Sequence, residues 1–81
     1  MYQTISEKIE VAGVYQKAKF FPKKFYWKKT LYQIEEITFT ADVRNGAVLK
    51  RIYSVVVGSN VFRLCFDRSS ETWSIEEIWC E

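Results

Sequence analysis

Histidine is absent from this 81-residue sequence, and cysteine, glycine and proline are scarce. Histidine is the commonest general acid or base near neutral pH, so no catalytic triad of the usual kind can be assembled. The two cysteines, Cys65 and Cys80, are too few for a disulfide framework and, without histidine, for a four-ligand zinc site. The three glycines stand singly, which excludes a glycine-rich phosphate loop. We therefore predict that the protein is not an enzyme and binds neither a metal nor a cofactor.

Long apolar runs are also missing. The longest mainly apolar stretches lie at residues 52–57 and 61–66, the second of which contains Arg63, and both are far short of the roughly 20 residues that a membrane-spanning helix needs. The N-terminal residues lack the charged start and the apolar block of a signal peptide. We therefore expect a soluble, cytoplasmic protein with no membrane partner.

Apolar and aromatic residues, by contrast, are plentiful, at 48% and 17% of the chain. Such a composition favours a packed core over disorder. A chain of this length has room for one core only, so residues 1–81 are predicted to form a single small domain.

The densest cluster of aromatic and β-branched residues lies at residues 25–34. A hairpin that turns at Lys28-Lys29 would separate this cluster into two faces, as in a half-buried sheet. The predicted core face carries Phe25, Trp27, Thr30, Tyr32 and Ile34, and the opposite face carries Lys24, Tyr26, Leu31 and Gln33. A two-residue turn needs left-handed backbone at both lysines, so a four-residue loop in the same register remains an alternative.

The flanking segments predict a strand, a connection and a loop. Residues 7–16 are interpreted as a first strand that is weakened at Gly13, and residues 17–22 as a connection, because proline cannot donate to a sheet. The second arm of the hairpin is predicted to continue to Thr40 with a bend or bulge. Residues 41–46, which end in Asn-Gly, are predicted to be a mobile loop and turn.

The clearest alternation of apolar and polar residues spans residues 51–66, on either side of Gly58-Ser59-Asn60. A loop of two or four residues would pair the two arms and create a wholly apolar face. The predicted pairs are Val57 with Phe62, Val55 with Leu64, and Tyr53 with Phe66 on that face, and Val56 with Arg63, Ser54 with Cys65, and Ile52 with Asp67 on the other.

The last strand is predicted over residues 73–79, after a turn at residues 67–72. A bulge at Glu76-Glu77 would return Ile78 to the core face, and a short helix is the alternative. About six residue steps of ~3.3 Å would then separate Cys65 from Cys80, too far for a disulfide.

These segments together predict an all-β domain. The chain is expected to form a single small antiparallel meander of about five to six strands, either a curled sheet or a small barrel. The predicted core consists of Phe25, Trp27, Tyr32, Tyr53, Val55, Phe62, Leu64 and Trp73.

The net charge is only +2, but positive and negative residues are segregated along the chain. The basic window contains Lys17, Lys19, Lys23, Lys24, Lys28 and Lys29, and the acidic end contains Asp67, Glu71, Glu76, Glu77 and Glu81. The two regions would either dock against each other or present the lysines to a polyanion, and composition does not choose between these arrangements.

Aromatic and apolar residues recur at set spacings in three segments. The segments are Pro22-x-x-Phe25-x-Trp27-x-x-x-x-Tyr32-x-Ile34, Phe62-x-Leu64-x-x-Asp67 and Trp73-x-Ile75-x-x-Ile78-Trp79. Together with residues 7–11, this pattern resembles a family of small bacterial domains of unknown function, found alone or associated with translesion DNA-polymerase-like proteins. The chain departs from the family at Lys29, where glycine is usual, and in the lysine-rich residues 14–21. The resemblance implies an association with DNA repair and assigns no catalytic residue.

Two kinds of function fit these observations. A protein-interaction or dimerisation module, with a homodimer or a protein partner, is favoured because so small a sheet leaves edges and aromatic side chains uncovered. The alternative is a nucleic-acid-binding module linked to DNA repair, in which Lys23, Lys24, Lys28 and Lys29 contact phosphates and Tyr26 stacks on a base. The lysines would otherwise only keep a sheet edge soluble. No small-molecule substrate is inferred.

Overall fold

Seven antiparallel strands form one sheet that curls into half a barrel. The computed structural model describes residues 2–80, apart from the side chain of Asn45, so the predicted acidic residue Glu81 lies outside the described residues. The strands are β1 (Tyr2–Gln16), β2 (Lys19–Trp27), β3 (Thr30–Gln33), β4 (Glu36–Asn45), β5 (Val48–Val57), β6 (Asn60–Asp67) and β7 (Thr72–Cys80). Within the described range, no helix is long and apolar enough to cross a membrane. The predicted all-β antiparallel class is confirmed.

The strand order is β3-β2-β1-β7-β6-β5-β4, so the first and last strands of the chain are neighbours. The consecutive strands β3 and β4 lie at opposite edges of the sheet. Between them, the backbone N–H of Ile34 donates to the carbonyl of Lys23 on β2 at 2.9 Å, and that of Glu35 donates to Val56 on β5 at 2.8 Å. Because two adjacent residues bond to strands near opposite edges, this short connection brings the two edges toward each other and the sheet must curl.

The predicted hairpin at residues 25–34 is confirmed in its register. Phe25 pairs with Tyr32, Tyr26 with Leu31, and Trp27 with Thr30. The turn is the two-residue form, with φ of 50° at Lys28 and 62° at Lys29. The second arm does not continue to Thr40 as predicted, because the chain leaves the sheet after Gln33 and begins a new strand at Glu36.

The interpretation of residues 17–22 as a connection is wrong. Only Lys17 and Ala18 form the turn, with φ of 52° and 64°, and β2 begins at Lys19. Pro22 lies within β2, opposite Gly13, where the register shifts and a missing donor is tolerated. A Cβ on Gly13 would overlap the carbonyl oxygen of Phe21 and lie 2.8 Å from Cα of Pro22, so the close approach of the two strands requires glycine here.

The predicted mobile loop at residues 41–44 is also wrong. All of these residues pair with β5, and the turn itself comprises residues 46 and 47. Asp42 pairs with Arg51 and forms an ion pair with it, with 2.6 Å between Arg51 Nε and Asp42 Oδ1. Residues 41–44 form a strand because they pair with β5, and the residues of β5 lie outside the short stretch of sequence from which a loop was predicted.

The predicted pairing of β5 with β6 is wrong by two residues. Val57 pairs with Asn60, Val55 with Phe62, and Tyr53 with Leu64; on the other face, Ser54 pairs with Arg63 and Ile52 with Cys65. The cause is a two-residue turn that begins at Gly58, whose φ of 62° suits the first position of a type II′ hairpin turn. A shift of two residues keeps every side chain on its predicted face, so the apolar face survives the error.

The bulge predicted in the last strand is confirmed. Arg63 pairs with Glu77 and Leu64 with Ile75, which leaves Glu76 as the extra residue. Ile75 and Ile78 therefore both point into the core, and the helical alternative is wrong. The preceding turn is also confirmed, and the Asp67 carboxylate accepts hydrogen bonds from the backbone of the two serines that follow it.

The core fills the inner face of the curled sheet. Its buried members are Phe25, Tyr53, Val55, Phe62, Leu64, Ile75 and Ile78. Phe25 is stacked on Tyr32, with ring centroids 5.0 Å apart, and meets the edge of Phe62 at 5.1 Å. Tyr32, Trp27 and Trp73, which were predicted to be buried, are partly exposed at the rim of this core, and the two isoleucines of β7 were missing from the predicted list.

Replacing Phe25 with alanine should destabilise the domain by about 3–5 kcal/mol, because the side chain is fully buried. Its neighbour Tyr26 is 46% exposed, so Tyr26→Ala is the matched control and should cost about 1 kcal/mol or less. Urea denaturation of both variants measures the difference. Equal losses of stability would contradict the assignment of the two faces.

Replacing Lys28-Lys29 with Asn-Gly should stabilise the domain, because both lysines have a left-handed backbone that costs about 1–2 kcal/mol per residue. The control is Lys28→Gln with Lys29→Gln, which removes the same charges and leaves the backbone preference unrelieved. We expect the Asn-Gly variant to exceed the Gln-Gln variant by at least ~1 kcal/mol in urea denaturation. Equal stabilities would show that the turn carries no such strain.

Candidate functional site

The outer, convex side of the sheet carries the residues that were predicted to bind nucleic acid. Tyr26 is 46% exposed there, between Glu10 on β1 and Leu31 on β3. Two shallow depressions flank its ring. Lys24 and Leu31 line the first, and Lys8, Lys28 and Lys29 line the second.

We call this surface, formed by Lys8, Lys24, Tyr26, Lys28 and Lys29, the basic face. It contains four of the five predicted residues and one that sequence reasoning missed. Lys8 is 18 positions from Tyr26 in the sequence, and only the pairing of β1 with β2 brings them together. The predicted alternation of β1 places Lys8 on the outer face, but nothing in the sequence shows which strand lies beside it.

Lys23 does not belong to the basic face. The pairing of β1 with β2 passes from Lys24 to Pro22, so Lys23 is the extra residue of a bulge and lines neither depression beside Tyr26. Lys17 and Lys19 are more distant still, because Lys19 lies at the other end of β2 and Lys17 lies in the turn before it. Eight residue steps separate Lys19 from Trp27, or about 26 Å along an extended strand. The basic window of the sequence is therefore split into separate regions.

The lysines of the basic face are not neutralised by the acidic C-terminal strand. Strand β1 lies between β2 and β7, so the nearest acidic residues are Glu7 and Glu10 on β1 itself. Glu7 accepts a hydrogen bond from the indole nitrogen of Trp27 at 3.0 Å. Across residues 2–80 the two ion pairs involve arginine, and no lysine takes part in one. Lys28 instead places its Nζ 4.9 Å from the ring centroid of Trp27.

A second outer surface is apolar. Tyr2, Phe39 and Trp79 are 54%, 53% and 52% exposed. Tyr2 on β1 and Trp79 on β7 lie on adjacent strands, and β6 and β5 lie between β7 and the strand of Phe39, β4. Successive cross-strand pairs join Val56 to Val61, Val61 to Trp79, and Trp79 to Tyr2. Phe39 lies beside this row, opposite Ser54, which is two residues from Val56 on β5. We call the surface formed by Tyr2, Phe39, Val56, Val61 and Trp79 the apolar band.

One ion pair borders the apolar band. Arg63 and Glu77 pair across β6 and β7, with 3.3 Å between Nη1 and Oε2, and both side chains are partly exposed. They line a small depression together with Tyr2, Val61 and Trp79. The Glu77 carboxylate accepts a hydrogen bond from the hydroxyl of Tyr2, which raises the pKa of that hydroxyl. The band is thus an apolar strip with one positive and one negative side chain side by side.

Cys65 is buried, and its burial raises the pKa of the thiol, which disfavours the nucleophilic thiolate. In the part of the chain that the structure describes, no group of three or more acidic or sulfur side chains is placed to hold a metal ion. What the two surfaces provide is exposed area with a defined chemical character.

Comparisons of the chain with protein-family models, with curated proteins and with solved structures found no significant match. The resemblance to small bacterial domains of unknown function therefore stays a prediction.

Proposed function

We propose that the protein is a non-catalytic interaction module that associates with a second copy of itself through the apolar band. The observation that carries this proposal is the exposure of three large aromatic side chains, each more than half accessible, on one convex surface. Monomeric soluble proteins rarely expose large apolar patches, and such patches commonly mark protein interfaces. Aromatic residues are also enriched among the interface residues that contribute most of the binding energy.

The charges beside the band favour a second copy over an unrelated partner. In a two-fold symmetric dimer, each contact occurs twice with the partners exchanged. A two-fold axis that passes between Arg63 and Glu77, perpendicular to the line that joins them, would place each arginine opposite the other copy's glutamate. The band is therefore complementary to itself in charge as well as in apolar character.

Sedimentation at micromolar concentration should show a species of twice the 9.6 kDa chain mass. Trp79→Arg should abolish it, because a charge replaces an exposed aromatic ring in the band. Leu31→Arg is the matched control, since Leu31 is 50% exposed on the opposite part of the outer side and should leave the dimer intact. A wild-type mass of 9.6 kDa with no concentration dependence would contradict the proposal.

A charge exchange tests the geometry of the dimer. Arg63→Glu and Glu77→Arg should each weaken association, because each places like charges opposite one another. The double variant restores opposite charges both within and between copies and should recover most of the loss. Failure of the double variant to recover would exclude this pair from the interface.

Nucleic-acid binding by the basic face is the second candidate. The observation that favours it is that four lysines without ion-pair partners in the described residues surround one exposed tyrosine ring. Lysines in such an arrangement contact phosphates while the ring stacks on a base, as in proteins that bind single strands. The resemblance to domains associated with translesion polymerases supports the same proposal, and Glu10 beside Tyr26 weakens it.

Binding of a single-stranded oligonucleotide should fall steeply between about 50 and 200 mM salt. Lys28→Gln with Lys29→Gln should weaken it at the lower salt concentration, because two phosphate contacts are lost. Lys17→Gln with Lys19→Gln removes the same charge from the other end of β2 and should have a smaller effect. Absence of binding at low salt, or equal effects of the two variants, would argue against the basic face.

A further inference from the structure

One end of the curled sheet contains a cavity that neither outer surface uses. It lies where the β1–β2 and β6–β7 turns meet, away from the Lys28-Lys29 turn, and we call it the mouth. Its volume is about 540 Å³, which falls within the range of about 300–1,000 Å³ that is typical of small-ligand sites. The side chains that carry the argument are Tyr15, Phe20, Trp73, Arg51 and Arg68.

Aromatic rings form the wall of the mouth. Trp73 is the centre, with its ring centroid 5.7 Å from Phe20, 5.4 Å from Tyr53 and 4.9 Å from Phe66. Tyr15 extends the cluster outward, 5.0 Å from Phe20, and is 78% exposed. Core packing explains the position of Tyr53, which is buried. It does not explain the position of Tyr15, which contacts the aromatic cluster and is exposed to solvent. The rings offer a surface on which a further planar ring can stack.

Two arginines stand at the same opening. The Arg51 guanidinium donates to both carboxylate oxygens of Asp42, at 2.6 and 3.3 Å, which holds it in place and lowers the pKa of Asp42. A guanidinium has five N–H donors, so donors remain for a ligand. Arg68 is exposed, and its backbone N–H donates to the carbonyl of Leu49 at 2.9 Å, which fixes the residue beside the opening. Glu71 is the acidic residue that lines the cavity.

Stacked aromatic rings beside guanidinium groups are suited to one class of ligand. A planar ring gains from stacking, and an attached phosphate gains from charge-assisted, bidentate hydrogen bonds with arginine. A wholly apolar ligand would leave the arginines unused, and a simple anion would leave the rings unused. The combination matches a base joined to a phosphate.

We propose that the mouth binds a nucleotide, with the base against Tyr15, Phe20 and Trp73 and the phosphate at Arg68 and Arg51. Two molecules present this chemistry: a free nucleoside monophosphate and the 5′-phosphorylated end of a nucleic-acid single strand. This site is separate from the apolar band and from the basic face, so it depends on neither of the functions proposed above.

The test measures binding of adenosine monophosphate to the full chain by calorimetry. A second measurement follows the fluorescence of Trp73 in the variant Trp27→Phe with Trp79→Phe, in which Trp73 is the remaining tryptophan. Adenosine monophosphate should bind and quench the indole, and adenosine should bind about tenfold more weakly, since it lacks the charge-assisted hydrogen bonds of the phosphate. A 5′-phosphorylated oligonucleotide that displaces the monophosphate more effectively than its unphosphorylated form identifies a strand end as the ligand. Failure to displace identifies the free nucleotide.

Two exposed positions provide variants that should fold. Arg68→Gln should weaken binding of adenosine monophosphate about tenfold through the lost phosphate contact, and Tyr15→Ser should weaken adenosine and its monophosphate alike. Lys28→Gln with Lys29→Gln should leave mononucleotide binding unchanged, because the basic face lies at the other end of β2. No binding at millimolar nucleotide, or binding insensitive to both mouth variants, would overturn the proposal.

Discussion

The connection between β3 and β4, residues Ile34 and Glu35, runs from one edge of the sheet to the other, and backbone hydrogen bonds from Ile34 to Lys23 and from Glu35 to Val56 anchor it to β2 and β5. A flat seven-stranded sheet would expose both faces, and a chain this short could not cover either of them. Because the short connection draws the edges toward each other, the sheet curls, and the aromatic side chains of its inner face pack against each other. The carboxylate of Glu35 strengthens the same junction by accepting a hydrogen bond from the backbone N–H of Gly58 at 2.6 Å. The convex outer side and the mouth both follow from that curl.

The long strand β1 connects the two halves of the sheet, because it pairs with β7 along its first part and with β2 along its second. Each outer surface depends on this strand. It places Lys8 beside the tyrosine of β2, and it places Tyr2 beside Trp79 of β7. The shift in register at Gly13 lets the strand follow the curl, since a bulge bends the chain and increases its twist.

Alternation along the chain predicted the strands and their inward faces well, because a period of two is a local property of the backbone. Val55, Phe62 and Leu64 are buried as predicted even though the pairing of their strands was off by two residues. The failures arose where a strand depends on its partner. Pro22 and residues 41–44 lack strong strand signals, and they are in strands because neighbouring strands of the sheet pair with them.

The sequence by itself determined the all-β class, the register of the hairpin at residues 25–34 and the bulge that returns Ile78 to the core, since each depends on side chains close together in the chain. Tertiary structure alone decided which strands are neighbours, and with that the placement of Lys8 beside Tyr26 in the basic face. It also decided the joining of Tyr2 with Trp79 and the meeting of Tyr15, Trp73 and Arg68 at the mouth. The physical reason is that strand order depends on hydrogen bonds between segments distant in sequence, and a residue's chemical type carries no information about which segment will lie beside it.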